Sequence, residues 1–582
     1  MKNVLIIFLF LLTVSSFAQV QLGKDINEAA DDESAWSVSL SSDGSIVAIG
    51  AAWNNITRIY QYISGAWVQM GQDINGETRF DQSGWAVSLS SDGNIVAIGA
   101  RGNGGNGNNS GHTRIYQYES GSWVQLGKDI DGQAEGDGIG GVSLSSDGSI
   151  VAMGAYNNDG NGSSFSGHTR IFQYQLDSWV QLGNNIDGDK SNLSGYSVSL
   201  SSDGNIVAIG AISNSGNGKS ESGNARIYQY ISGAWVQMGQ DINGEGEGDR
   251  SGSSVSLSSD GLTVAIGAIR NGDNGSASGH TRIYQHKLDS WVQIGQDIDG
   301  NASGDFSGGS VSLSSDGSIV AIGSSGNDGN GSNSGLARIY QNQSDSWVQL
   351  GIDINGVAEG DASGHSVSLS SNGNKIAIGA HEYFIDDFDP SNDLISGYTR
   401  IFEICELRSI SANPIDIRIP IGETAITGVK SDYNWHQWQT DVGFGYQNIT
   451  NAGQYSGSNN DSLTVSNVTM SNNNQYFRCI VSTEGCSDTS KVAVLTVDGN
   501  LGIEETENLF KVYPNPTSEE LNITIATKFI GSTYKILDLL GKKVLDGKIN
   551  NTNSTIDVST LSKGYYLLQI GDGTVSHKFM VQ

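Results

Sequence analysis

A 56-residue repeat fills residues 20–404 of this chain. Each copy carries, in order, versions of the segments SVSLSSDG, IVAIGA, GHTRIYQY and SWVQLG. A unit of this size cannot bury an apolar face alone, so neighbouring copies must stack into a propeller or a solenoid. The period is marked by tryptophans and by the turn residue of the SVSLSSDG segment: Trp67, Trp123, Trp179, Trp235, Trp291 and Trp347, and Asp43, Asp92, Asp147, Asp203, Asp260, Asp316 and Asn372.

The fourth copy shows how one repeat builds four strands. Residues 197–201 alternate polar and apolar side chains, whereas residues 206–211 form a continuous apolar run typical of a strand covered on both sides. Asp203-Gly204 between them predicts a type I′ turn with positive φ at both positions. Residues 226–230 and 235–239 supply two more strands. Seven copies of four antiparallel strands predict a seven-bladed β-propeller.

The two ends of the repeat region complement each other. Residues 20–26 resemble a fourth strand without its first three, and the last copy ends at residues 398–402 without a fourth. Joining the two completes the seventh blade and leaves no open sheet edge. We therefore expect a closed ring rather than an open solenoid.

The net charge and the hydropathy of the chain argue against a nucleic-acid-binding protein and against a membrane-spanning one. The net charge of −31 argues against nucleic acid as a partner, because phosphate binding needs a basic face. Residues 1–18 predict a secretory signal peptide, with one lysine and a short apolar run before Ala18. No later stretch approaches the roughly 20 apolar residues of a membrane helix. We expect an extracellular protein without a transmembrane segment in the mature chain.

Three cysteines follow the repeats, and an exported protein can pair two of them. Cys479 and Cys486 flank a short segment that fits a hairpin tip, which favours their pairing. Pairing of Cys405 with either one stays open.

One rim of the predicted propeller has variable loops, and the other has short, nearly identical ones. Variable loops on a rigid scaffold are typical of binding sites, so we predict a ligand site on this rim. The alternative is that these loop sequences vary because they have no function that constrains them. The candidate ligand-binding residues are Glu245, Glu247, Asp249, Asp305, Glu359, Asp361, Tyr383 and Phe384.

The seventh copy carries an acidic insertion on the same rim. Asp387, Asp389 and Asp393 stand at spacings that can place oxygen ligands around Ca²⁺. The glycine and the final glutamate of a typical calcium loop are absent, so a solvated acidic loop is the alternative. We expect no other cofactor.

Several polar residues recur in the blades, which favours a structural role because a catalytic group is needed once. They are Arg58, Arg114, Arg170, Arg226, Arg282, Arg338 and Arg400, together with His112, His168 and His280. No hydrolase, phosphate-loop or zinc-protease motif occurs in the chain. We therefore predict that the protein is not an enzyme.

The repeat resembles the FG-GAP blades of integrin α-subunits. The matching elements are Ser194-Gly195, residues 197–200, Asp203-Gly204 and Gly210-Ala211, with copies over residues 20–404. The resemblance implies a propeller at residues 19–404. It does not extend to the calcium loop of that family, which lies between the first two strands and is replaced here by a tight turn.

Residues 405–497 resemble an immunoglobulin-like β-sandwich. The resemblance implies that Trp438 is the core tryptophan and that Leu463, Tyr476 and Val481 pack around it. The cysteine usual on the early strand is missing from residues 425–429. An acidic linker follows at residues 498–508.

Residues 509–582 resemble the type A C-terminal sorting domain of type IX secretion. The similarity rests on residues 512–516 (VYPNP), 534–542 (YKILDLLGK) and 564–568 (GYYLL), in this order at the end of the chain. It implies that the type IX machinery is a partner and that the chain crosses the outer membrane.

The whole sequence predicts an all-β protein with a seven-bladed β-propeller and two small β-sandwich domains. The predicted function is surface or secreted binding and adhesion, with a glycan or a matrix protein as the ligand. A glycan-active propeller enzyme and a passive repeat scaffold are the alternatives. Unrepeated carboxylates and aromatic residues at the channel mouth would favour the enzyme.

Overall fold

The computed structural model describes residues 16–27, 35–159, 164–381, 397–407, 410–441, 443, 445–482, 487–498, 510–571 and 575–582. The protein is all-β, with a seven-bladed β-propeller and two small β-sandwiches. Within the described residues, no helix has the length and apolar character that crossing a membrane requires.

Each blade has four strand positions, of which the outermost is split into two short strands that both pair with the third. In chain order the strands are β1 (Ser16–Gln21) and β2 (Ile26–Asn27) of blade 7; β3 (Ser37–Leu40), β4 (Ile46–Ala51), β5 (Ile56–Ile63), β6 (Ala66–Gln69) and β7 (Ile74–Asn75) of blade 1; β8 (Ser83–Leu89), β9 (Ile95–Ala100), β10 (His112–Glu119), β11 (Ser122–Gln125) and β12 (Ile130–Asp131) of blade 2; β13 (Ile139–Leu144), β14 (Ile150–Ala155), β15 (His168–Gln175), β16 (Ser178–Gln181) and β17 (Ile186–Asp187) of blade 3; β18 (Ser194–Leu200), β19 (Ile206–Ala211), β20 (Asn224–Ile231), β21 (Ala234–Gln237) and β22 (Ile242–Asn243) of blade 4; β23 (Ser251–Leu257), β24 (Thr263–Ala268), β25 (His280–Lys287), β26 (Ser290–Gln293) and β27 (Ile298–Asp299) of blade 5; β28 (Ser310–Leu313), β29 (Ile319–Ser324), β30 (Leu336–Asn342), β31 (Trp347–Gln349) and β32 (Ile354–Asn355) of blade 6; and β33 (Ser363–Leu369), β34 (Lys375–Ala380) and β35 (Tyr398–Leu407) of blade 7.

The ring is closed by the start of the chain. Strands β1 and β2 pair antiparallel with β35 and so complete blade 7 from both ends of the repeat region. The Leu22 N–H donates to the Ile401 oxygen at 2.8 Å between these pairings. The expected split blade is therefore present.

Serine side chains join the innermost strands around the channel. In every blade the leucine N–H of the SVSL segment donates to a serine Oγ of the preceding blade, at 2.9 to 3.0 Å. A second ring of seven backbone hydrogen bonds, 2.7 to 2.9 Å long, runs through Ser42, Ser91, Ser146, Ser202, Ser259, Ser315 and Ser371 and returns to Ser42. The alternating serines of the repeat thus serve as connectors between blades.

The repeated tryptophans and arginines also connect neighbouring blades. Each of the six period-marking tryptophans donates its Nε1–H to a backbone oxygen of the preceding blade, at 2.7 to 2.9 Å. The Nη2 atoms of Arg114, Arg282 and Arg400 donate to an outer-strand oxygen of the preceding blade. The predicted blade-to-blade role is confirmed for these three arginines, whereas Arg58 and Arg338 pair with Asp73 and Asp353 of their own blades.

The turn between the first two strands differs from the predicted type I′ turn. Gly204 has a φ of 69°, but Asp203 does not adopt a positive φ. The Gly204 N–H donates to the Ser201 oxygen at 2.9 Å, and Asp203 Oδ1 accepts from the Asn205 N–H at 3.0 Å. Because the aspartate side chain binds the backbone that follows it, the turn needs only one left-handed residue, and the type I′ prediction is wrong.

Three buried histidines begin the third strand of blades 2, 3 and 5. Burial, reinforced by the nearby Arg114 and Arg170, lowers the pKa of His112 and His168 to about 4. Burial and Arg282 also lower the pKa of His280. These imidazoles are therefore neutral at neutral pH.

We expect His168 to make the stability of the propeller sensitive to acid. In the unfolded chain this histidine titrates near 6.5, whereas in the folded protein it stays neutral down to about pH 4. Protonation therefore stabilises only the unfolded chain as the pH falls from 6.5 to 4, and the free energy of unfolding decreases by about 3 kcal/mol. In His168→Asn, which copies Asn224 of blade 4, this loss is absent. The free energy of unfolding of the wild type minus that of the variant, measured by denaturant unfolding, should decrease by that amount from pH 7 to pH 4. Thr169→Val, at the next buried position of the strand, is the control with a pH-independent difference, and a constant difference for His168→Asn would contradict the prediction.

The start of the described chain overlaps the predicted signal peptide. Residues 1–15 lie outside the described residues, but Ser16, Phe17 and Ala18 are already paired in β1 with Leu407, Glu406 and Cys405. A mature chain beginning at Gln19 keeps the second half of this strand. Strand β35 extends three residues beyond the predicted propeller end at residue 404.

The first sandwich packs a mixed sheet against a three-stranded sheet. Trp438, Leu463 and Val481 are fully buried, as predicted, but Tyr476 is 44% exposed. The side chains alternate along its strand, so Phe477 faces the core and the prediction for Tyr476 is wrong. The strands are β36 (Ile410–Ala412), β37 (Ile417–Pro420), β38 (Ala425–Gly428), β39 (Lys430–Ser431), β40 (Trp435–Asp441), β41 (Gln447–Asn448), β42 (Tyr455–Ser456), β43 (Ser462–Val465), β44 (Gln475–Ser482), β45 (Ser487–Thr489) and β46 (Ala493–Asp498).

The favoured disulfide is not the one formed. Cys405 is disulfide-bonded, whereas Cys479 is a buried thiol whose Sγ lies 3.5 Å from the Ile480 oxygen. The Cys479–Cys486 pairing is therefore wrong, because Cys479 faces the sandwich core on β44. Cys486 itself lies outside the described residues.

The second sandwich consists of a three-stranded and a four-stranded antiparallel sheet. Its core includes Leu521, Ile536, Leu568, Ile570 and Phe579, each at most 1% exposed. This core is separate from the blade cores. The strands are β47 (Phe510–Tyr513), β48 (Glu520–Ile525), β49 (Thr533–Leu537), β50 (Lys543–Lys548), β51 (Asn553–Asp557), β52 (Gly564–Ile570) and β53 (Val575–Val581).

Candidate functional site

The two ends of the propeller channel have different linings. At one end, a cavity of about 160 Å³ is surrounded by the same leucine and serine positions of every blade. At the other end, the start of each innermost strand lies beside the end of the second strand, because the two pair antiparallel. The blades differ from one another at this second end.

A cavity of about 940 Å³ occupies the second end, and we call it the mouth cavity. Its lining comes mainly from two positions of the repeat. The residue two places before the valine of the SVSL segment contributes Trp36, Trp85, Gly140, Tyr196, Ser253, Gly309 and His365; the first or second residue after the second strand contributes Trp53, Arg101, Tyr156, Ile212, Ile269, Arg270, Ser325 and His381.

Aromatic rings form a continuous arc along one side of the mouth cavity. The ring centroid of Trp36 lies 4.6 Å from that of Trp85 and 6.1 Å from that of Trp53. The Arg101 guanidinium lies over the Trp85 ring at 4.5 Å and over the Tyr156 ring at 5.3 Å. The arc thus presents flat apolar faces with a cation held between two of them.

Two histidines extend the arc in blade 7. The ring centroids of His365 and His381 are 4.0 Å apart, and both rings lie within 4.8 Å of the Trp36 ring. Desolvation and the neighbouring His381 hold the pKa of His365 well below its usual range. A neutral imidazole offers one donor and one acceptor, so His365 supplies hydrogen bonds rather than charge.

The mouth cavity is basic within a strongly acidic protein. Arg101, Arg250 and Arg270 contribute to its lining, and none of its described lining residues is an aspartate or a glutamate. Arg250 Nη2 also lies 3.4 Å from Glu221 Oε2, so part of its charge is compensated. Against a net charge of −31, this cavity is a local site of positive charge.

The predicted rim aspartates have their carboxylates inside the loops. Asp249, Asp305 and Asp361 are all less than 8% exposed. Asp305 Oδ2, for example, accepts from the Asn301 and Ala302 N–H groups at 2.9 and 3.0 Å. Asp81 and Asp137 bind their own loops in the same way. These carboxylates hold the connection between blades in shape and are not presented to solvent.

The predicted rim glutamates are exposed, but none lines the mouth cavity. Glu245 Oε1 lies 3.2 Å from Arg282 Nη1, and Glu247 and Glu359 are also exposed. The remaining predicted site residues lie outside the described residues; they are Tyr383 and Phe384 of the rim, and Asp387, Asp389 and Asp393 of the calcium prediction.

The mouth residues were missed, although the sequence carried a signal for them. They occupy two fixed positions of the repeat. The position two places before the valine of the SVSL segment changes between tryptophan, tyrosine, serine, glycine and histidine, whereas the SVSL segment itself is nearly constant. A comparison of the copies position by position would have found them.

Residues 511–582 match the family described as the secretion system C-terminal sorting domain. This confirms the predicted sorting domain and marks the chain for type IX secretion to the outer surface of the cell. No curated protein matches the chain.

Several solved structures are similar in fold. PpgL, described as the periplasmic gluconolactonase of Pseudomonas aeruginosa, has 16% identity and a TM-score of 0.40, over 64% of this chain and 95% of that one. AofleA from Arthrobotrys oligospora has 12% identity and a TM-score of 0.35, over 59% of this chain and 94% of that one. A protein of unknown function from Desulfotomaculum acetoxidans has 10% identity and a TM-score of 0.38, over 59% of this chain and 100% of that one. Similarity at this level says nothing about ligand or activity.

Proposed function

We propose that the protein is a carbohydrate-binding protein of the cell surface and that its mouth cavity holds an acidic oligosaccharide. The observation that carries this proposal is the arc of unrepeated aromatic residues and arginine in a ring of otherwise repeated blades. Seven blades with the same packing need the same residues. The other end of the channel has the same leucine and serine positions in every blade, so the side chains that differ at this end support a purpose other than folding.

The chemistry of the cavity fits a sugar better than a peptide helix or a nucleic acid. A sugar ring has an apolar C–H face, which stacks on tryptophan and tyrosine, and a polar edge, which hydrogen-bonds to histidine and serine. The cavity combines both kinds of group. Its volume of about 940 Å³ lies at the upper end of the range of small-molecule sites and has room for more than one sugar unit.

The arginines favour a negatively charged sugar. A guanidinium binds a carboxylate or a sulfate with two parallel hydrogen bonds, and the described lining residues include no aspartate or glutamate to repel the ligand. Arg101 is held flat between two rings, so little of its conformational freedom is lost on binding. Uronic or sulfated oligosaccharides have the complementary charge.

The composition of the lining favours binding over glycoside hydrolysis. Most glycoside hydrolases use a pair of carboxylates at the scissile bond. The described lining of the mouth cavity offers arginine, histidine and aromatic groups instead. Attachment to the cell surface through the sorting domain gives such a binding module a role in adhesion.

We expect Trp53→Ala and Arg101→Gln each to weaken binding of the acidic oligosaccharide at least about tenfold, as the loss of a central aromatic or arginine contact does. Trp53 is 55% exposed, so its removal leaves the fold intact. The ligand is first identified on an array of neutral and acidic glycans, and affinities are then measured by calorimetry.

The matched control is Trp435→Ala, which removes a tryptophan of similar exposure, 66%, in the first sandwich. It should bind like the wild type. Arg101→Gln should weaken the acidic ligand more than its neutral counterpart. An array without signal, or equal affinities for all these proteins, would overturn the proposal.

A further inference from the structure

Four metal-ligating side chains meet on the outer part of blade 5, away from the mouth cavity. They are Glu245, Asp273, His280 and Asp297, and their ligand atoms all lie within 4.8 Å of one another. Glu245 belongs to the connection from blade 4, Asp273 to the loop after β24, His280 to the start of β25, and Asp297 to the turn before β27. Residues far apart in the chain therefore converge on one point.

A buried imidazole without a hydrogen bond faces this cluster. His280 is 0% exposed, and neither of its ring nitrogens has a hydrogen-bond partner. Its Nδ1 lies 3.7 Å from Asp297 Oδ2, too far for a hydrogen bond but across a gap that an ion can fill. A buried polar atom left in this way costs free energy unless something binds it.

We propose that Glu245, Asp273, His280 and Asp297 form a binding site for a divalent transition-metal ion of the zinc class. One imidazole nitrogen and three carboxylates are ligands that Zn²⁺ accepts, at about 2.0 to 2.2 Å. Imidazole favours this class over Ca²⁺ or Mg²⁺, which prefer oxygen ligands only. Arg282 Nη1, 3.2 Å from Glu245, offsets only part of the acidic charge.

Blades 2 and 3 have fewer of the four proposed metal ligands at the same repeat positions. Blade 2 has three of the four ligands, Glu77, His112 and Asp129, with Gly105 at the position of Asp273. Its site should bind the same ion more weakly. The ion in blade 5 ties the connection between blades 4 and 5 to the core of the blade, so we expect it to stiffen this part of the rim.

Blade 3 is a natural version without the site. His168 is buried and has no hydrogen-bond partner, like His280, but Gln133 and Asn185 occupy the repeat positions that hold Glu245 and Asp297 in blade 5. Asn185 Nδ2 donates to Gln133 Oε1 at 3.0 Å. The orphaned imidazole alone thus does not make a metal site; the convergence of imidazole and carboxylates does. The amide pair also shows that a blade folds with Gln and Asn at these positions.

The test is a metal titration of the tag-free mature chain after treatment with a chelator. Zn²⁺ binding is measured by calorimetry, and Co²⁺ binding by the visible absorption that nitrogen and oxygen ligation produces. We expect one tight site and one weaker site in the wild type. Glu245→Gln with Asp297→Asn, which copies blade 3, should weaken the tight site at least about 100-fold.

Two further variants make the assignment specific. Asp129→Asn should leave the tight site unchanged and remove the weaker one. Gly105→Asp should strengthen the blade 2 site at least about tenfold; its new Cβ would lie 2.8 Å from Asp131 Oδ1, the movable end of a side chain. Metal bound elsewhere is common to all these proteins and does not affect the comparison. An unchanged tight site in the double variant, or no Zn²⁺ binding by the wild type, would overturn the proposal.

Discussion

Deleting Val20–Ile26 is expected to destabilise the whole propeller by at least about 5 kcal/mol. The deletion removes most of the outer strand of blade 7, including the buried Ile26 and the Leu22 oxygen that accepts from Trp67 Nε1 at 2.8 Å. It also exposes the edge of β35, and open strand edges pair with other chains. We expect a large fall in the melting temperature, measured by calorimetry, together with self-association.

Two point variants in this strand show whether the loss of stability comes from the missing strand contacts or from the shorter chain. Leu22 packs against the core shared by blades 7 and 1, whereas Val20 in the same strand is 45% exposed. Leu22→Asp should therefore reproduce much of the loss, and Val20→Asp should melt like the wild type. An unchanged melting temperature after the deletion would contradict the closed ring.

Removing residues 510–582 is expected to abolish display on the cell surface. These residues hold the whole second sandwich, whose core is its own, so the remaining domains should still fold. Without the sorting domain the chain has no type IX signal and should accumulate in the periplasm. Cell fractionation and protease treatment of intact cells measure the distribution.

The same export test has a matched pair of point variants in β49 and the turn after it. Ile536→Asp places a charge in the sandwich core, where the side chain is 0% exposed, and should block surface display. Leu540→Asp changes a side chain that is 93% exposed and should be displayed normally. Normal surface levels of the truncated chain would refute the assigned role of this domain.

The architecture could be predicted because the same pattern of strands and turns recurs in seven copies. The repeat spacing and the split ends predict the closed ring, and the six repeated tryptophans make the same hydrogen bond to the preceding blade. Local geometry was harder to predict: Asp203 binds the backbone of its own turn, which no residue pattern distinguishes from a type I′ turn. In β44 the family resemblance put Tyr476 and Val481 in the core, whereas the alternation of the strand places Phe477 and Val481 there.

The arrangement of the mouth cavity could not be predicted because it depends on closure of the ring, although the variation at each of its positions is visible in the repeat copies. Trp36 and His365 are more than 300 positions apart in the chain and become neighbours only when blade 7 meets blade 1. Asp305 looked like an exposed acidic rim residue, but its carboxylate is buried and accepts hydrogen bonds from the backbone of its own loop. His280 looked like one of three equivalent structural histidines, but three carboxylates lie around it, against two around His112.

A crystal structure of the protein bound to its best acidic oligosaccharide from the array tests the central claim most directly. The proposal predicts a sugar ring stacked on Trp53, Trp36 or Trp85 in the mouth cavity, with its acidic group within hydrogen-bond distance of Arg101. A ligand bound at the leucine- and serine-lined end of the channel, or on either sandwich, would contradict it.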